Sequence, residues 1–103
     1  MITLIRTADI NDGMAQDAFA WAVQVSHYIN DNVDGVEVTV MRNIGGPVYQ
    51  VHWVSRYDSL AEYARLWAAL EADPGYQELI EDARDVGFFV GMSIEDHIYE
   101  AVG

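Results

Sequence analysis

Apolar and polar positions alternate with two different periods along the chain, and each change of period marks the boundary of a predicted element. Residues 1–8 are rich in Ile, Thr and Leu, a composition typical of a β-strand. The segment Asn11-Asp12-Gly13 interrupts this strand and offers a helix cap. Over residues 14–30 the apolar positions recur with helical spacing and form one stripe, which consists of Ala18, Trp21, Ala22, Val25 and Ile29. The chain is therefore predicted to begin with a strand and an amphipathic helix.

A β-hairpin is predicted after the first helix. Between residues 36 and 41 valine alternates with Glu37, Thr39 and Met41, which is the period of a strand with two different faces. Residues 43–47, Asn-Ile-Gly-Gly-Pro, supply turn residues, and residues 48–55 form the returning strand.

The second half of the chain repeats the order of a helix followed by a strand. Ser59 and Glu62 have the spacing of a capping box, and Asp73 with Pro74 starts a further helical segment. Gly87 ends the helical region, and we expect the last strand over residues 88–94, with an extension toward Tyr99. The order β-α-β-β-α-β predicts an α+β, ferredoxin-like fold in which residues 1–103 form one domain and both helices cover one face of an antiparallel sheet.

The hairpin predicts which side chains share a face of the sheet. If Gly45-Gly46 is its centre, Val38 lies opposite Trp53 and Val40 lies opposite Val51, and this apolar set faces the helices. The other face carries Glu37, Thr39, Met41, Gln50 and His52. A slip of one residue would exchange the two sets, so the assignment to faces is a stronger prediction than the individual pairs.

The second face of the predicted sheet is too apolar for solvent and too polar for a core. The first strand places Ile2 and Leu4 on one side and Ile5 on the other, and residues 88–94 are apolar on both sides. An exposed apolar surface of this kind usually marks an interface. We therefore expect a homodimer in which two sheets face each other as a dimeric α/β barrel and enclose a cavity.

Composition and charge exclude several classes of function. The chain has 17 acidic residues, five arginines and no lysine, which gives a net charge of -12. A nucleic acid or an anionic membrane needs a basic patch, so neither is expected as a partner. Cysteine is absent, which excludes disulfides and thiolate chemistry. The chain has no apolar run of about 20 residues that could span a membrane, and it lacks the pattern of a signal peptide. The expected location is therefore cytoplasmic.

Neither a metal site nor a cofactor is predicted. His27, His52 and His97 lie in three different elements and lack the spacing of metal ligands. The chain also lacks the glycine-rich motifs that bind nucleotides. The three tryptophans lie at apolar positions of helices or strands and are therefore predicted to pack in the core; they are Trp21, Trp53 and Trp67.

Three segments carry a resemblance to a known superfamily. They are the strand at residues 48–53, the capped helix from Ser59 to Trp67, and the break at residues 72–76, Ala-Asp-Pro-Gly-Tyr. Here the chain resembles the dimeric α/β-barrel superfamily, most closely its NIPSNAP-like and stress-responsive groups and more distantly the antibiotic-biosynthesis-type monooxygenases. The resemblance implies a ferredoxin-like homodimer. It leaves activity open, because the superfamily includes haem degradation, cofactor-free oxygenation, cyclisation, isomerisation and dechlorination.

His52 is the candidate catalytic residue, because an imidazole in a half-dry cavity can act as an acid or base near neutral pH. Glu37, Thr39, Met41 and Gln50 are the candidate substrate-binding residues on the same face. The first hypothesis is an enzyme without a cofactor, an oxygenase, cyclase or isomerase, that acts on a small apolar or aromatic substrate. The alternative is a non-catalytic ligand-binding or assembly protein, in which His52 only forms hydrogen bonds.

Overall fold

The computed structural model describes residues 1–103 and contains four strands and three α-helices. In chain order these are β1 (Ile2–Asp9), α1 (Ala15–Asn32), β2 (Val38–Arg42), β3 (Gln50–Tyr57), α2 (Leu60–Glu71), α3 (Pro74–Val86) and β4 (Glu95–Glu100), with a short 3₁₀ turn over Gly91–Ser93 before β4.

All four strands belong to one antiparallel sheet. Its order is β2-β3-β1-β4, so β1 pairs with β3 on one side and with β4 on the other. This arrangement confirms the predicted α+β, ferredoxin-like fold. The pairing of two copies into a barrel stays a prediction.

The register of the hairpin differs from the prediction, although the faces are as predicted. Val38 lies opposite Ser55, and Trp53 lies opposite Val40, which moves β3 by two residues relative to the expected pairs. The predicted pairing of Val38 with Trp53 was wrong because the turn is centred beyond Gly45-Gly46. A shift of two residues preserves the face of every side chain.

The predicted last strand over residues 88–94 is wrong. Phe89 forms only an isolated bridge with Ile10, and the regular strand begins later, at Glu95. Phe88 is instead buried in the core, and the Phe89 ring packs edge-on against Trp21 at 5.5 Å. The apolar run therefore fills the space under α1, while the mostly polar β4 forms an edge of the sheet.

The predicted starts of α2 and α3 and the predicted end of α3 are confirmed. The predicted cap of α1 in the segment Asn11-Asp12-Gly13 is wrong, because Met14 precedes the helix and no side chain caps it. The Ser59 hydroxyl accepts a hydrogen bond from the backbone N–H of Glu62 at 3.1 Å, and the Asp73 carboxylate accepts one from that of Tyr76 at 3.1 Å. Gly87 ends α3 with a φ of 79°, a left-handed conformation that favours glycine. The Glu62 carboxylate binds Arg65 and therefore does not complete the reciprocal half of a capping box.

The hydrophobic core lies between the sheet and the three helices. A large cluster joins α1 and α3 to the middle of the sheet, and a smaller one joins α2 to β1; the smaller cluster consists of Ile2, Leu4, Tyr57 and Leu66. None of the helices has the length and apolar character that crossing a bilayer requires.

Candidate functional site

A cavity of about 380 Å³ lies between the helix-covered face of the sheet and the helices, and we call it the helix-side cavity. Fifteen of its twenty lining residues are hydrophobic, and its aromatic walls come from Trp21, Trp53, Trp67, Tyr57, Tyr76 and Phe89. Ligand sites in proteins are typically apolar pockets of about 300–1,000 Å³ with a few converging polar groups. The helix-side cavity has this character.

Arg6 is the charged residue that β1 places at this cavity. It occupies a helix-facing position of β1 between the buried residues Leu4 and Ala8. Its Nε and Nη2 donate to the two carboxylate oxygens of Asp96, at 2.7 and 2.8 Å, and the hydrogen bonds to Asp96 raise the pKa of Arg6. Because a guanidinium has about five N–H donors, this bidentate pair leaves donors for a ligand.

Trp67 stacks on Arg6 and contributes a donor that the chain does not fully use. The Arg6 guanidinium carbon lies 4.6 Å from the centre of the Trp67 ring, which is a cation–π distance. The indole N–H of Trp67 is buried and makes no hydrogen bond of regular geometry within the chain, although it interacts with the Tyr57 hydroxyl and partly offsets the rise in the pKa of that tyrosine. A buried donor without a well-formed hydrogen bond is unfavourable, so an acceptor atom of a ligand would stabilise this site.

Two tyrosine hydroxyls add further polar groups to the apolar walls. The hydroxyl oxygen of Tyr57 lies 3.0 Å from that of Ser55, and both residues are buried. Burial raises the pKa of Tyr57, and burial also raises the pKa of Tyr76, against the opposing effect of the positive charge of Arg6. Both phenols are therefore neutral at physiological pH and able to donate a hydrogen bond.

Arg84 gives the cavity a second positive charge. It lies in the last turn of α3, lines the cavity and forms no ion pair within the chain. Arg84 is exposed to solvent, and Arg42 and Arg56 likewise form no ion pair, so its charge is available to a ligand without being unusual in this chain. The cavity therefore combines apolar walls with two arginines, a combination suited to an aromatic molecule that carries a negative or developing negative charge.

His52, the predicted catalytic residue, lies on the helix-free side of the sheet, which we call the open face. Its Nε2 contacts Asn43 Oδ1 at 2.6 Å, and its Nδ1 contacts the Thr7 hydroxyl at 2.7 Å. Asn43 Nδ2 donates to the carbonyl of Gly45, which turns the amide oxygen toward His52. An amide oxygen only accepts, so Nε2 carries a proton, and in the neutral imidazole Nδ1 then accepts from the Thr7 hydroxyl. Both ring nitrogens of His52 are thus engaged.

The structure brings only one of the predicted substrate-binding residues to His52. Met41 is its cross-strand partner and lines the same surface depression. Thr39 lies opposite Val54, two residues further along the hairpin. Gln50 binds the Asp9 carboxylate at 2.9 Å, and Glu37 precedes β2 and is exposed. The functional roles of these five residues stay predictions.

The residues around the helix-side cavity were not predicted as a site. A sequence signal existed for Arg6, because it interrupts the alternating apolar positions Ile2, Leu4 and Ala8. Tyr76 and Trp67 fit the apolar stripes of their helices and carried no signal beyond core packing. No three His, Asp or Glu side chains of the chain are grouped so as to hold a metal ion.

Comparison with known proteins places this geometry in a family. The model of the NIPSNAP family matches residues 4–98, which confirms the resemblance predicted from the sequence. No curated protein is similar enough to the chain to be matched.

Solved structures share the fold along nearly the whole chain. Protein Atu4242 from Agrobacterium tumefaciens is 21% identical with a TM-score of 0.80, and the match covers 99% of this chain and 94% of that one. An uncharacterized NIPSNAP domain protein from Burkholderia xenovorans is 18% identical with a TM-score of 0.80, with 99% and 95% covered. SnoaB, a cofactor-independent oxygenase from Streptomyces nogalater, is 12% identical with a TM-score of 0.70, with 97% and 91% covered. At such identities the likeness concerns the fold alone.

Proposed function

The chain belongs to the NIPSNAP family, and we propose that it is an enzyme without a cofactor that acts on a small aromatic substrate in the helix-side cavity. The observation that carries the proposal is the union of apolar aromatic walls with Arg6, Arg84 and two neutral tyrosine hydroxyls around one cavity. The fold shared with a cofactor-independent oxygenase supports it by analogy.

The substrate class follows from the walls of the cavity. Trp53, Trp67 and Tyr76 offer ring faces and edges on which a flat molecule stacks. The N–H donors of Arg6 that Asp96 does not use, together with the charge of Arg84, favour an oxygen that is negatively charged or becomes so during the reaction. We therefore propose a substrate with one or more aromatic rings and an acidic phenol or enol group.

The proposed chemistry begins with an enolate or a phenolate of this substrate. Oxygenation, cyclisation and isomerisation without a cofactor can each proceed through such an anion. In a cavity with little water, the N–H groups of Arg6 and Trp67 and the hydroxyl of Tyr76 would stabilise the anionic oxygen. Stabilisation of charge by fixed hydrogen-bond donors is the largest single contribution to catalysis in many enzymes. The chain would bind and orient the anion, which has already lost its proton to water. In an oxygenation the anion would supply the electrons and dissolved dioxygen would accept them.

A non-catalytic binding role is the second candidate, and the hydrogen bonds of the site favour it. Asp96 neutralises Arg6, and the Tyr57 hydroxyl is engaged by Ser55, so the cavity contains no carboxylate or imidazole that is free to act as a base. The predicted acid–base residue His52 lies on the opposite face with both ring nitrogens occupied. A binding protein would hold the same aromatic ligand and leave it unchanged.

The first experiment measures binding and turnover with a panel of one-ring and two-ring phenols that includes 2-naphthol. We expect quenching of the tryptophan fluorescence on binding, and for at least one compound either oxygen consumption or a product visible by chromatography. The Arg6→Gln variant should bind the active compound at least tenfold more weakly, since a hydrogen bond to a charged group contributes about 1.5–3 kcal/mol. Trp67→Phe keeps the packing and removes the N–H, and it should weaken binding less.

His52→Gln is the matched control on the open face. If the cavity is the site, this variant binds and turns over the active compound as the wild type does. Loss of turnover in His52→Gln with intact binding by Arg6→Gln would overturn the proposal and support the predicted role of His52. Binding without turnover of any compound would favour the non-catalytic alternative.

A further inference from the structure

Tyr28 lies on α1, outside the helix-side cavity, and nothing in the proposed reaction uses it. We propose that Tyr28 is a positioning residue for Tyr76, the α3 tyrosine that lines the helix-side cavity. The inference rests on the proposed function, in which Tyr76 contacts the ligand. It adds Tyr28 as a residue through which α1 influences the position of a cavity wall.

One carboxylate oxygen connects the two tyrosines. The Tyr28 hydroxyl donates to Asp73 Oδ1 at 2.6 Å, and the backbone N–H of Tyr76 donates to the same oxygen at 3.1 Å. The hydrogen bond to Tyr28 lowers the pKa of Asp73, so this oxygen stays charged at neutral pH and both bonds are charge-assisted. The position of the first turn of α3, which includes Tyr76, is thereby tied to Tyr28.

The ring of Tyr28 also touches the same turn sterically. A Cβ atom on Gly75 would lie 2.7 Å from Cζ and 3.0 Å from Cε2 of Tyr28, closer than side chains can approach. Only glycine therefore allows the phenol to reach Asp73 across this turn. The close fit restricts where α3 can begin, and the restricted turn leads directly into Tyr76.

A second hydrogen bond holds the middle of α3 to α1. The indole N–H of Trp21 donates to the carbonyl of Leu79 at 3.0 Å. Between the two attachments lies Tyr76, whose ring packs edge-on against Trp67 at 6.5 Å. Trp21 and Trp67 line the cavity directly, whereas Tyr28 acts on it indirectly, through Asp73 and through the contact of its ring with Gly75. Tyr28 can therefore be substituted without changing any residue that lines the cavity.

The test is a double-mutant cycle with 2-naphthol as the probe. Tyr28→Phe removes only the hydroxyl and should weaken binding about threefold to tenfold, the range that corresponds to one hydrogen bond. If Tyr28 acts through Tyr76, the effect should disappear in the Tyr76→Phe background, because residues that act as a unit are not additive. An effect of equal size in both backgrounds would show a merely structural role and overturn the inference.

A measurement on the ligand-free protein separates this inference from the proposed function. In protein with ¹³C-labelled tyrosine, the ring signals of Tyr76, assigned with Tyr76→Phe, should shift in Tyr28→Phe. They should not shift in Tyr49→Phe, which removes the hydroxyl of an exposed tyrosine away from the cavity. Unchanged Tyr76 signals in Tyr28→Phe would refute the positioning role. Failure of the wild type to bind any phenol would refute the proposed function alone.

Discussion

The two faces of the sheet consist of the same strands and differ in what the chain provides to cover them. On the helix side Leu4 and Val51 are fully buried, and the remaining space forms a cavity with aromatic walls. On the open face Met41 is about half exposed at 49%, and His52 lies in a surface depression. The helix side is complete within one chain, so it can hold a ligand site by itself. The open face lacks a cover, and it is the surface on which we expect a second copy to bind.

The largest difference between the faces should appear when neighbouring residues of β1 are truncated. Leu4→Ala leaves a cavity in a packed core and should lower the free energy of unfolding by about 2–5 kcal/mol. Ile5→Ala removes a half-buried side chain from the open face and should cost about 1 kcal/mol or less within one chain. Urea unfolding at low protein concentration measures both values. Equal losses would mean that the open face is as closely packed as the helix side.

The assembly of the open face is the next prediction. We expect the wild type to have twice the 11.6 kDa mass of the chain in sedimentation equilibrium. Met41→Glu places a charge on a side chain that is exposed in the single chain, so it should dissociate the dimer without unfolding the subunit. Its binding of 2-naphthol should stay at the wild-type level. A monomeric wild type would contradict the predicted barrel, and loss of naphthol binding in Met41→Glu would place the ligand at the dimer interface.

The fold could be predicted from the sequence where the sequence pattern itself reflects burial. Alternation in the hairpin assigned Trp53 and His52 to opposite faces, and this held although the register was wrong by two residues. The pattern failed at residues 88–94, because an apolar run has the same sequence signature in a strand and in an irregular segment that fills the core. The strand β4 has little apolar signal, since all of its residues are exposed.

The candidate site was harder to predict because a cavity is a property of the packing between elements. Tyr76 and Trp67 lie on ordinary apolar stripes, and only the fit of α3 against the sheet leaves space beside them. Arg6 could have been noticed as a charge at a helix-facing position of β1. Its partner Asp96 could not have been predicted, because the ion pair depends on the register of β1 with β4. In that register the two residues lie directly opposite each other.

The smallest predicted effect concerns pH and belongs to the helix side. Hydrogen bonds from Tyr28 and from the backbone of Tyr76 lower the pKa of Asp73 in the folded protein below its ordinary value. A carboxylate with a lowered pKa stabilises the fold above its unfolded pKa of about 4, and this contribution is lost as the pH falls through the folded pKa. Asp73→Asn keeps an N-cap acceptor and removes the charge, so it isolates this contribution. The urea midpoint of the wild type should therefore exceed that of Asp73→Asn at pH 7, and the gap should close as the pH falls below about 4 and through the lowered pKa of Asp73 in the folded protein. Because the other carboxylates are common to both proteins, their titration cancels in the difference. A gap that stays constant down to about pH 2 would mean that the charge of Asp73 does not hold α3 in place, and Tyr28 would then position Tyr76 only through the contact of its ring with Gly75.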